Sequence, residues 1–285
     1  MKKIGFIDYY ISEWHANNYP AWIAEACERL SVDYKQSYAW AELDTSLKDG
    51  VTTEQWCERF GAEKCATIEE LCERSDVIVI LAPSDPETHL KYAEIVLKYG
   101  KPTYIDKTFS PDLATAKKIF DIAAEKGTPF FSTSALRYGE ELETPYACTE
   151  IVTTGGGSNL PEYIVHQAEM VVKKLGMGAT MIKGEKYGSQ THLHVAYGDG
   201  RVATMIYSPS MAFTVNMWGG DGTKCVASSV KSPYFVALIS DIVRFFETGE
   251  VSFDTNETLE VMKIREGAIK AAELADGSWI ELPTA

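Results

Sequence analysis

Positive charge is scarce in this 285-residue sequence. It holds 27 lysines and arginines against 41 aspartates and glutamates, for a formal net charge of −14. Proteins that bind nucleic acids or anionic membrane surfaces need lysine and arginine to neutralise phosphates. The composition therefore predicts that neither nucleic acid nor membrane is a partner, and that the acidity serves solubility.

Long apolar runs and paired cysteines are also missing. No run approaches the roughly 20 apolar residues that span a bilayer. The N-terminus, MKKIGFID, passes from two lysines directly into a strand-like run, without the pattern of a secretory leader. The six cysteines form no Cys-x-x-Cys pair. We expect all of them to be reduced and the protein to be cytoplasmic.

Strand-like and helix-like segments alternate through residues 1–132. The segment 3–7 is a short apolar strand pattern, and the continuous apolar run at 77–82 is typical of a strand covered on both faces. Helical patterns follow the strands, and they lie at 17–30, 53–60, 68–74, 87–99 and from a start at 110–112 to 126. Short connections between such units require parallel strands with right-handed crossovers. The sequence predicts an α/β fold whose doubly wound parallel Rossmann-type sheet has its ligand crevice beyond the carboxyl ends of the strands.

The pattern changes in residues 133–285. A helix is predicted at 161–175, and two further helices at 234–248 and 256–275. Strand patterns lie between them, at 179–187, 190–197, 201–208 and 211–218, with glycine-rich hairpin turns at 198–200 and 219–222. These elements predict an α+β domain with a mostly antiparallel open sheet, packed closely against the Rossmann-type domain with a cleft between the two.

Four motifs stand in an informative order. Ala82-Pro83-Ser84 with His89 follows the 77–82 strand, and Asp106-Lys107-Thr108 follows the next strand. Leu136-Arg137-Tyr138 and the run GGGSNLPEYIVH from Gly155 to His166 come later. In this order they resemble the TPN…H, Glu-Lys-Pro, LRY/F and GGGxLxDxGxH motifs of the glucose–fructose oxidoreductase / inositol dehydrogenase (Gfo/Idh/MocA) family. The C-terminal helical segment is also similar, so the resemblance covers nearly the whole chain.

The resemblance implies an NAD(P)-dependent oxidoreductase. Such an enzyme would move a hydride between the nicotinamide and a carbinol carbon of a sugar, cyclitol or related polyhydroxylated small molecule. Because the open sheet pairs between subunits in this family, it also implies an even-numbered homo-oligomer, a dimer or a tetramer. Two alternatives stay open: a cofactor-free binding or regulatory protein on the same fold, and a lyase or epimerase that uses the same lysine and histidine.

The sequence departs from the family at its first loop. The family has GxGxxG there, whereas this chain has the glycine-free segment 8–15, DYYISEWH. Those glycines let the backbone approach the pyrophosphate at a helix N-terminus. Tyr10 places a ring where the second glycine leaves space, and Asp8 or Glu13 would repel phosphate. Either these carboxylates point away, or the cofactor is shifted, or it is absent.

The cofactor positions that the resemblance implies lie in this loop and near the strand ends. They are Asp8, Tyr10, Ile11, Ser12, Trp40, Ala82, Pro83, Ser84, His89, Asp106 and Arg137. The cofactor would be NAD or NADP. The segment Trp40-Ala41-Glu42 offers an acidic residue and no arginine, which favours NAD because a carboxylate binds the ribose 2′-hydroxyl.

Three residues are the catalytic candidates. Lys107 follows a buried strand, where it can hydrogen-bond a substrate hydroxyl and favour its deprotonation. Glu162 and His166 are four residues apart and share a helix face. His166 is the candidate base, and Glu162 would orient it or bind substrate, unless the pair only caps the helix. We expect Lys107 and His166 to converge on one pocket.

Five other residues have weaker signals. Arg137 and Tyr138 would position cofactor or substrate, or else form a salt bridge and a packed ring. His192 and His194 alternate on a strand and so point to one face, where His194 would contact substrate. A His-x-His pair alone is a weak metal signal, and no metal site is assigned. His15 is expected to cap or pack at a helix start.

Overall fold

A computed structural model describes residues 1–220 and 222–283 of the chain. The chain divides into two compact units. The first contains Met1–Thr133 and Phe235–Thr255, and the second contains Ser134–Tyr234 and the segment from Asn256 onward. The six cysteines are free thiols, as expected, with Cys225 exposed and the other five buried. A search of the described helices finds none with the length and apolar character needed to cross a membrane.

The described residues form thirteen strands in two sheets. In chain order they are β1 (Lys2–Asp8), β2 (Tyr34–Ala41), β3 (Glu63–Lys64), β4 (Val77–Ile80), β5 (Thr103–Ile105), β6 (Phe130–Phe131), β7 (Cys148–Gly155), β8 (Ala179–Tyr187), β9 (Gln190–Tyr197), β10 (Val202–Tyr207), β11 (Thr214–Gly219), β12 (Cys225–Ser229) and β13 (Ile280–Glu281).

Eight α-helices lie in the same residues. They are α1 (Trp14–Leu30), α2 (Thr53–Phe60), α3 (Ile68–Arg74), α4 (His89–Val96), α5 (Leu113–Lys126), α6 (Leu160–Leu175), α7 (Tyr234–Thr248) and α8 (Asn256–Leu274). Short 3₁₀ turns extend α4 at both ends, which accounts for the longer helix predicted at 87–99.

The first unit contains the predicted doubly wound sheet. Its six strands run in the order β3-β2-β1-β4-β5-β6, and every neighbouring pair is parallel. The strand order reverses between β1 and β4. In open α/β sheets ligands bind at such a reversal, beyond the carboxyl ends of the strands. The carboxyl ends of β1, β4 and β5 are therefore where a site is expected.

Two helix starts in this unit differ from the sequence prediction. Helix α1 begins at Trp14 rather than at residue 17, because Glu13 caps it. Helix α5 is capped by Asp112 and not by Ser110, since the Asp112 side chain accepts a hydrogen bond of 2.7 Å from the backbone N–H of Thr115. The Ser110 hydroxyl instead donates to the backbone carbonyl of Asp112.

The second unit contains a seven-stranded sheet in the order β12-β11-β7-β10-β9-β8-β13. All neighbouring pairs are antiparallel except β7 with β10, which confirms the mostly antiparallel sheet. Helices α6 and α8 pack on it and on each other. Strands β7, β12 and β13 were not predicted. The inward positions of β7 include Thr153 and Gly155, which carry little hydrophobic signal. Asp221, in the predicted turn at 219–222, lies outside the described residues.

The segment Phe235–Thr255 groups with the first unit, whereas a single boundary after residue 132 would place it in the second. Aromatic packing explains the grouping. The Phe245 ring lies edge-on to Phe131 with centroids 5.0 Å apart, and the Phe235 ring stacks on Trp22 at 5.0 Å.

Candidate functional site

Asp8 ends β1 at the reversal point of the first sheet. Its side chain is only 1% exposed. Oδ1 accepts hydrogen bonds from the backbone N–H groups of Tyr9 at 2.7 Å and Ala82 at 3.0 Å, while Oδ2 is buried without a hydrogen-bond partner. Burial, followed by the negative charge of Glu13, raises the pKa of Asp8 well above its usual range. This carboxyl group is thus driven toward its neutral form.

The turn between β1 and α1 is filled by its own side chains. Tyr10, Ile11 and Ser12 are all buried. The Ser12 hydroxyl donates to Asp49 at 2.8 Å, and the Ser46 hydroxyl donates to the backbone carbonyl of Ser12 at 2.9 Å. Side chains therefore occupy the space that glycines leave open in a phosphate-binding turn.

Glu13 occupies the N-terminus of α1 with its own carboxylate. Oε1 accepts from the backbone N–H of Ala16 at 2.6 Å, and Oε2 accepts from that of His15 at 2.9 Å. These are two of the N–H groups that a helix start leaves without intrahelical partners. Glu13 is buried, and this burial raises its pKa. The side chain turns inward onto the helix, which excludes the alternative that it points away.

This arrangement does not fit a dinucleotide pyrophosphate at the start of α1. The N–H groups that would bind phosphate already bind Glu13. A phosphate placed about 4 Å from an ionised carboxylate would be repelled by roughly 4 kcal/mol at an effective dielectric near 20, more than a helix dipole returns. In the described conformation, the pyrophosphate and the Glu13 carboxylate exclude each other.

Asp106 connects the end of β5 to α1. Its carboxylate pairs with Nδ1 of His15 and accepts from the Tyr104 hydroxyl at 3.2 Å and from the backbone N–H of Lys107 at 2.8 Å. Burial acts to raise the pKa of Asp106, but the charge and hydrogen bond of His15 outweigh it, and the pKa is lowered. Sequence reasoning assigned His15 to capping or packing and did not find this pairing.

Lys107 is brought to the same edge of the sheet. Its side chain is 9% exposed, and Nζ lies 3.5 Å from the backbone carbonyl of Pro83, which follows β4. Its positive charge helps to lower the pKa of the neighbouring Asp106. The structure therefore places predicted positions from β1, β4 and β5 together: Asp8, Ala82, Pro83, Asp106 and Lys107.

The segment after β4 has an unusual backbone. Ala82 has a φ of 57°, in the left-handed region that non-glycine residues rarely adopt. His89 helps to hold this segment, because Nε2 lies 2.6 Å from the backbone carbonyl of Leu81 and Nδ1 lies 3.0 Å from that of Phe109. Strained residues of this kind often cluster at functional sites. Ser84, also predicted to contact the cofactor, is exposed.

The end of β2 has its acidic residue engaged. Glu42 accepts hydrogen bonds from Lys91 and from the Tyr92 hydroxyl, each at 2.8 Å, and these bonds lower its pKa. The half-buried ring of Trp40 lies edge-on to Tyr92 with centroids 5.7 Å apart. Glu42 is thus ionised and has the charge that a ribose hydroxyl requires, although its oxygens already have partners.

In the second unit, glycines and a cap position the start of α6. A Cβ on Gly156 would lie 1.9 Å from the backbone oxygen of Ser208, so only glycine fits there. The Asn159 side chain caps α6 by accepting from the backbone N–H of Glu162 at 2.9 Å. Glu162 in turn accepts from the Ser158 hydroxyl at 3.0 Å. Glu162 therefore takes part in the cap, and its pairing with His166 stays a prediction.

His166 lies one turn further along α6 and is half-buried. Its Nδ1 shares a hydrogen bond of 2.7 Å with the Ser134 hydroxyl. The imidazole ring also contacts the rings of Tyr163 and Phe213, whose centroids lie 5.7 and 5.6 Å from its own. Ser134 can therefore orient the imidazole ring through Nδ1. His166 and Lys107 belong to different units, and their convergence stays a prediction.

Arg137 is engaged within the second unit. It is 6% exposed, its Nε donates to Glu169 at 2.6 Å, and Nη2 pairs with Glu257. This is the structural salt bridge that the sequence left open as an alternative. Tyr138, beside it, ends the same 3₁₀ turn and is half-buried.

His194 lies on β9, half-buried like its neighbour His192. Its Nδ1 is 3.0 Å from the Thr204 hydroxyl. Burial and then the positive charge of Lys183 lower the pKa of His194, which favours a neutral ring. In the part of the chain that the structure describes, no group of three or more histidine, cysteine, aspartate or glutamate side chains could hold a metal ion.

Comparison with known proteins adds sequence and fold similarity. Residues 42–134 match the family model described as "Oxidoreductase family, NAD-binding Rossmann fold", a range that begins after the β1–α1 turn. The uncharacterized oxidoreductase YhhX of Escherichia coli (strain K12) is 33% identical over 66 residues, which is 22% of this chain and 19% of that protein. The dTDP-3,4-didehydro-2,6-dideoxy-alpha-D-glucose 3-reductase of Actinomadura kijaniata is 30% identical over 73 residues, 26% and 22% of the two chains. The match thus spans about a fifth of these curated relatives.

Solved structures match the whole chain at low identity. GenD2 from gentamicin A biosynthesis, in complex with NAD, has a TM-score of 0.78 at 14% identity and covers 100% of this chain and 97% of its own. A myo-inositol dehydrogenase from Corynebacterium glutamicum ATCC 13032 has a TM-score of 0.76 at 12% identity and covers 100% of both. At these identities the likeness concerns the fold alone. The predicted resemblance to the Gfo/Idh/MocA oxidoreductase family is therefore confirmed by the family-model match over residues 42–134, and the whole chain shares its fold with these solved structures.

Proposed function

We propose that this protein is an NAD(P)-dependent oxidoreductase that acts on a CH–OH group of a sugar, cyclitol or related polyhydroxylated molecule. One observation carries the proposal: Lys107 is buried at the carboxyl end of β5, beside Pro83, inside the segment that matches the NAD-binding family model. An ammonium group held there can donate a hydrogen bond to a substrate oxygen.

The proposed acid–base residues are Lys107 and His166. Lys107 donates a hydrogen bond to the substrate hydroxyl oxygen and stabilises the negative charge that grows on it. His166 accepts the hydroxyl proton, since an imidazole is suited to proton exchange near neutral pH. The hydrogen bond between Ser134 and Nδ1 of His166 holds the ring during this transfer. Glu162 supports the helix start and is proposed to bind substrate hydroxyls.

The proposed substrate class rests on the activities for which the relatives are named. One curated relative is named as a reductase of a dTDP-linked dideoxy sugar, and solved neighbours are titled myo-inositol dehydrogenase and UDP-N-acetylglucosamine 3-dehydrogenase. Tyr138 and His194 are the proposed substrate contacts. NAD is the proposed hydride acceptor, in preference to NADP, because Glu42 rather than an arginine follows β2. An even-numbered homo-oligomer, formed through the open sheet, is also proposed.

The test is turnover. The purified chain is incubated with a panel of sugars and cyclitols and with NAD⁺ or NADP⁺, and reduced nicotinamide is followed by its near-ultraviolet absorbance. We expect reduction with at least one polyol, and faster reduction with NAD⁺ than with NADP⁺. The proposal is rejected if no polyol at millimolar concentration reduces NAD⁺ or NADP⁺ and if no corresponding ketone oxidises NADH or NADPH.

A binding or regulatory role is the second candidate, and the capping of α1 by Glu13 favours it. Such a protein would keep the polyol site without redox chemistry. Calorimetric titration with NAD⁺, NADH, NADP⁺ and NADPH separates the two candidates. Polyol binding without dinucleotide binding supports the second candidate, while binding of both supports the first.

A further inference from the structure

We propose that the carboxylate of Glu13 competes within the protein for the place of the dinucleotide pyrophosphate, and so sets the dinucleotide affinity of this chain. The inference rests on the proposed function, because it takes a nicotinamide dinucleotide as the ligand. Glu13 thereby determines ligand affinity from a position that belongs to the glycine-rich loop in the family.

The competition follows from the hydrogen bonds at the start of α1. A helix N-terminus offers only a few free N–H groups to an anion. Here the groups of His15 and Ala16 both donate to Glu13, at 2.9 and 2.6 Å. The backbone of Glu13 is itself part of the helix start, since its carbonyl accepts from the N–H of Asn17 at 3.0 Å. An incoming phosphate must therefore displace the Glu13 side chain to reach the same groups.

A second observation concerns the charge next to this cap. Asp8 is 1% exposed, and its Oδ2 is buried without a hydrogen-bond partner. It lies near enough for the charges of Asp8 and Glu13 to act on each other. A group of buried acids has therefore replaced the neutral glycine turn that phosphate requires. Removal of the Glu13 carboxylate relieves the nearest of these charges and frees both N–H groups.

The turn has anchors that do not depend on Glu13. Ser12 is held by Asp49 through its hydroxyl at 2.8 Å and by Ser46 through its backbone carbonyl at 2.9 Å. Asp8 separately binds the N–H of Ala82. Substitution of Glu13 can thus open the helix N-terminus while the turn keeps its position.

The experiment compares NADH and ADP-ribose binding by the wild type and by Glu13→Gly, with NADH fluorescence and calorimetry as readouts. We expect Glu13→Gly to bind both ligands at least tenfold more tightly than the wild type. Glu13→Gln, which keeps the length but loses the charge, should lie between the two. Glu25→Gly is the matched control: this glutamate is exposed on the same helix, and its replacement should leave the affinity unchanged.

Circular dichroism and a thermal melt establish that each variant is folded. If Glu13→Gly unfolds, Glu13→Ser retains a helix cap without the negative charge and must still bind both ligands more tightly than the wild type. Equal affinity of folded wild type and variant overturns the inference, and this includes the case in which neither binds. Weaker binding by the variant also overturns it. Polyol turnover by the wild type is measured separately, so a failed proposed function leaves the binding comparison intact, and the reverse also holds.

Discussion

The backbone N–H of Ala82 donates a hydrogen bond of 3.0 Å to Oδ1 of Asp8, which joins the carboxyl end of β1 to the residue pair that follows β4. The bond leaves Oδ2 of Asp8 buried without a partner. Asp8 therefore links two strand ends at the reversal point of the sheet and is itself held in an environment that disfavours its charge. Burial and then Glu13 raise its pKa.

Replacement of Asp8 by asparagine should change how stability depends on pH. The pKa of Asp8 is raised in the folded protein, so above about pH 4 the folded protein binds more protons than the unfolded chain. The free energy of unfolding therefore falls as the pH rises, by up to about 1.4 kcal/mol per pH unit, until the pH passes the folded pKa. Asp8→Asn removes this loss. We expect urea denaturation to show equal stability of variant and wild type near pH 4 and a more stable variant at pH 8.

Asp106→Asn is the matched control and should act in the opposite sense. The pKa of Asp106 is lowered, so its contribution is present above the unfolded pKa and is lost as the pH falls through the folded pKa. The substitution also removes the buried carboxylate that pairs with His15, and loss of one member of a buried pair lowers the free energy of unfolding by about 3–5 kcal/mol. We expect lower stability at neutral pH for Asp106→Asn. A destabilised Asp8→Asn at pH 8 would contradict the assignment of Asp8.

Lys107→Met tests the proposed polarising group. Methionine keeps the buried aliphatic stem, so the melting temperature should stay close to that of the wild type. The rate of polyol oxidation should fall by about 10²–10⁴-fold, the usual range for a group that assists proton transfer. Lys107→Ala should lose activity to the same extent. A large fall in melting temperature at full activity would instead mark Lys107 as structural.

His166→Ala tests the proposed base. The alanine variant should lose about 10²–10⁴-fold in kcat. Added imidazole should restore part of the rate, because the freed space beside Ser134 can admit the missing ring. Ser134→Ala serves as a comparison and should alter the pH profile of kcat/KM more than the melting temperature, since Ser134 orients the ring through Nδ1. Full activity of His166→Ala would remove His166 from the mechanism.

Arg137→Met separates a structural role from a cofactor role. The change leaves Glu169 and Glu257 without their buried partner, and loss of one member of such a group costs about 3–5 kcal/mol in unfolding free energy. Arg201→Met breaks a more exposed pair with Asp199 and should cost less than about 1 kcal/mol. A tenfold higher KM for dinucleotide with unchanged stability of Arg137→Met would place Arg137 on the cofactor instead.

Local sequence was sufficient where a pattern is complete within one segment. The limits of α2 and α3 follow from threonine caps and apolar spacing, and the strand limits of β8 and β9 follow from alternation between glycine-rich turns. Strand β7 was not predicted because its buried face includes Thr153 and Gly155 beside Ile151, so the apolar alternation is weak. Edge strand β12 has no fully buried position, and only its alternate residues are half-buried.

The linear sequence by itself determined the alternating strand–helix order, the parallel sheet that this order requires, the position of Lys107 after a buried strand, and the absence of a glycine turn. The tertiary structure alone decided what replaces that turn. Glu13 folds back onto the N–H groups of its own helix, and His15 meets Asp106 across 91 residues of chain. Such contacts depend on strand order and on the direction of each side chain, which propensity and periodicity do not encode.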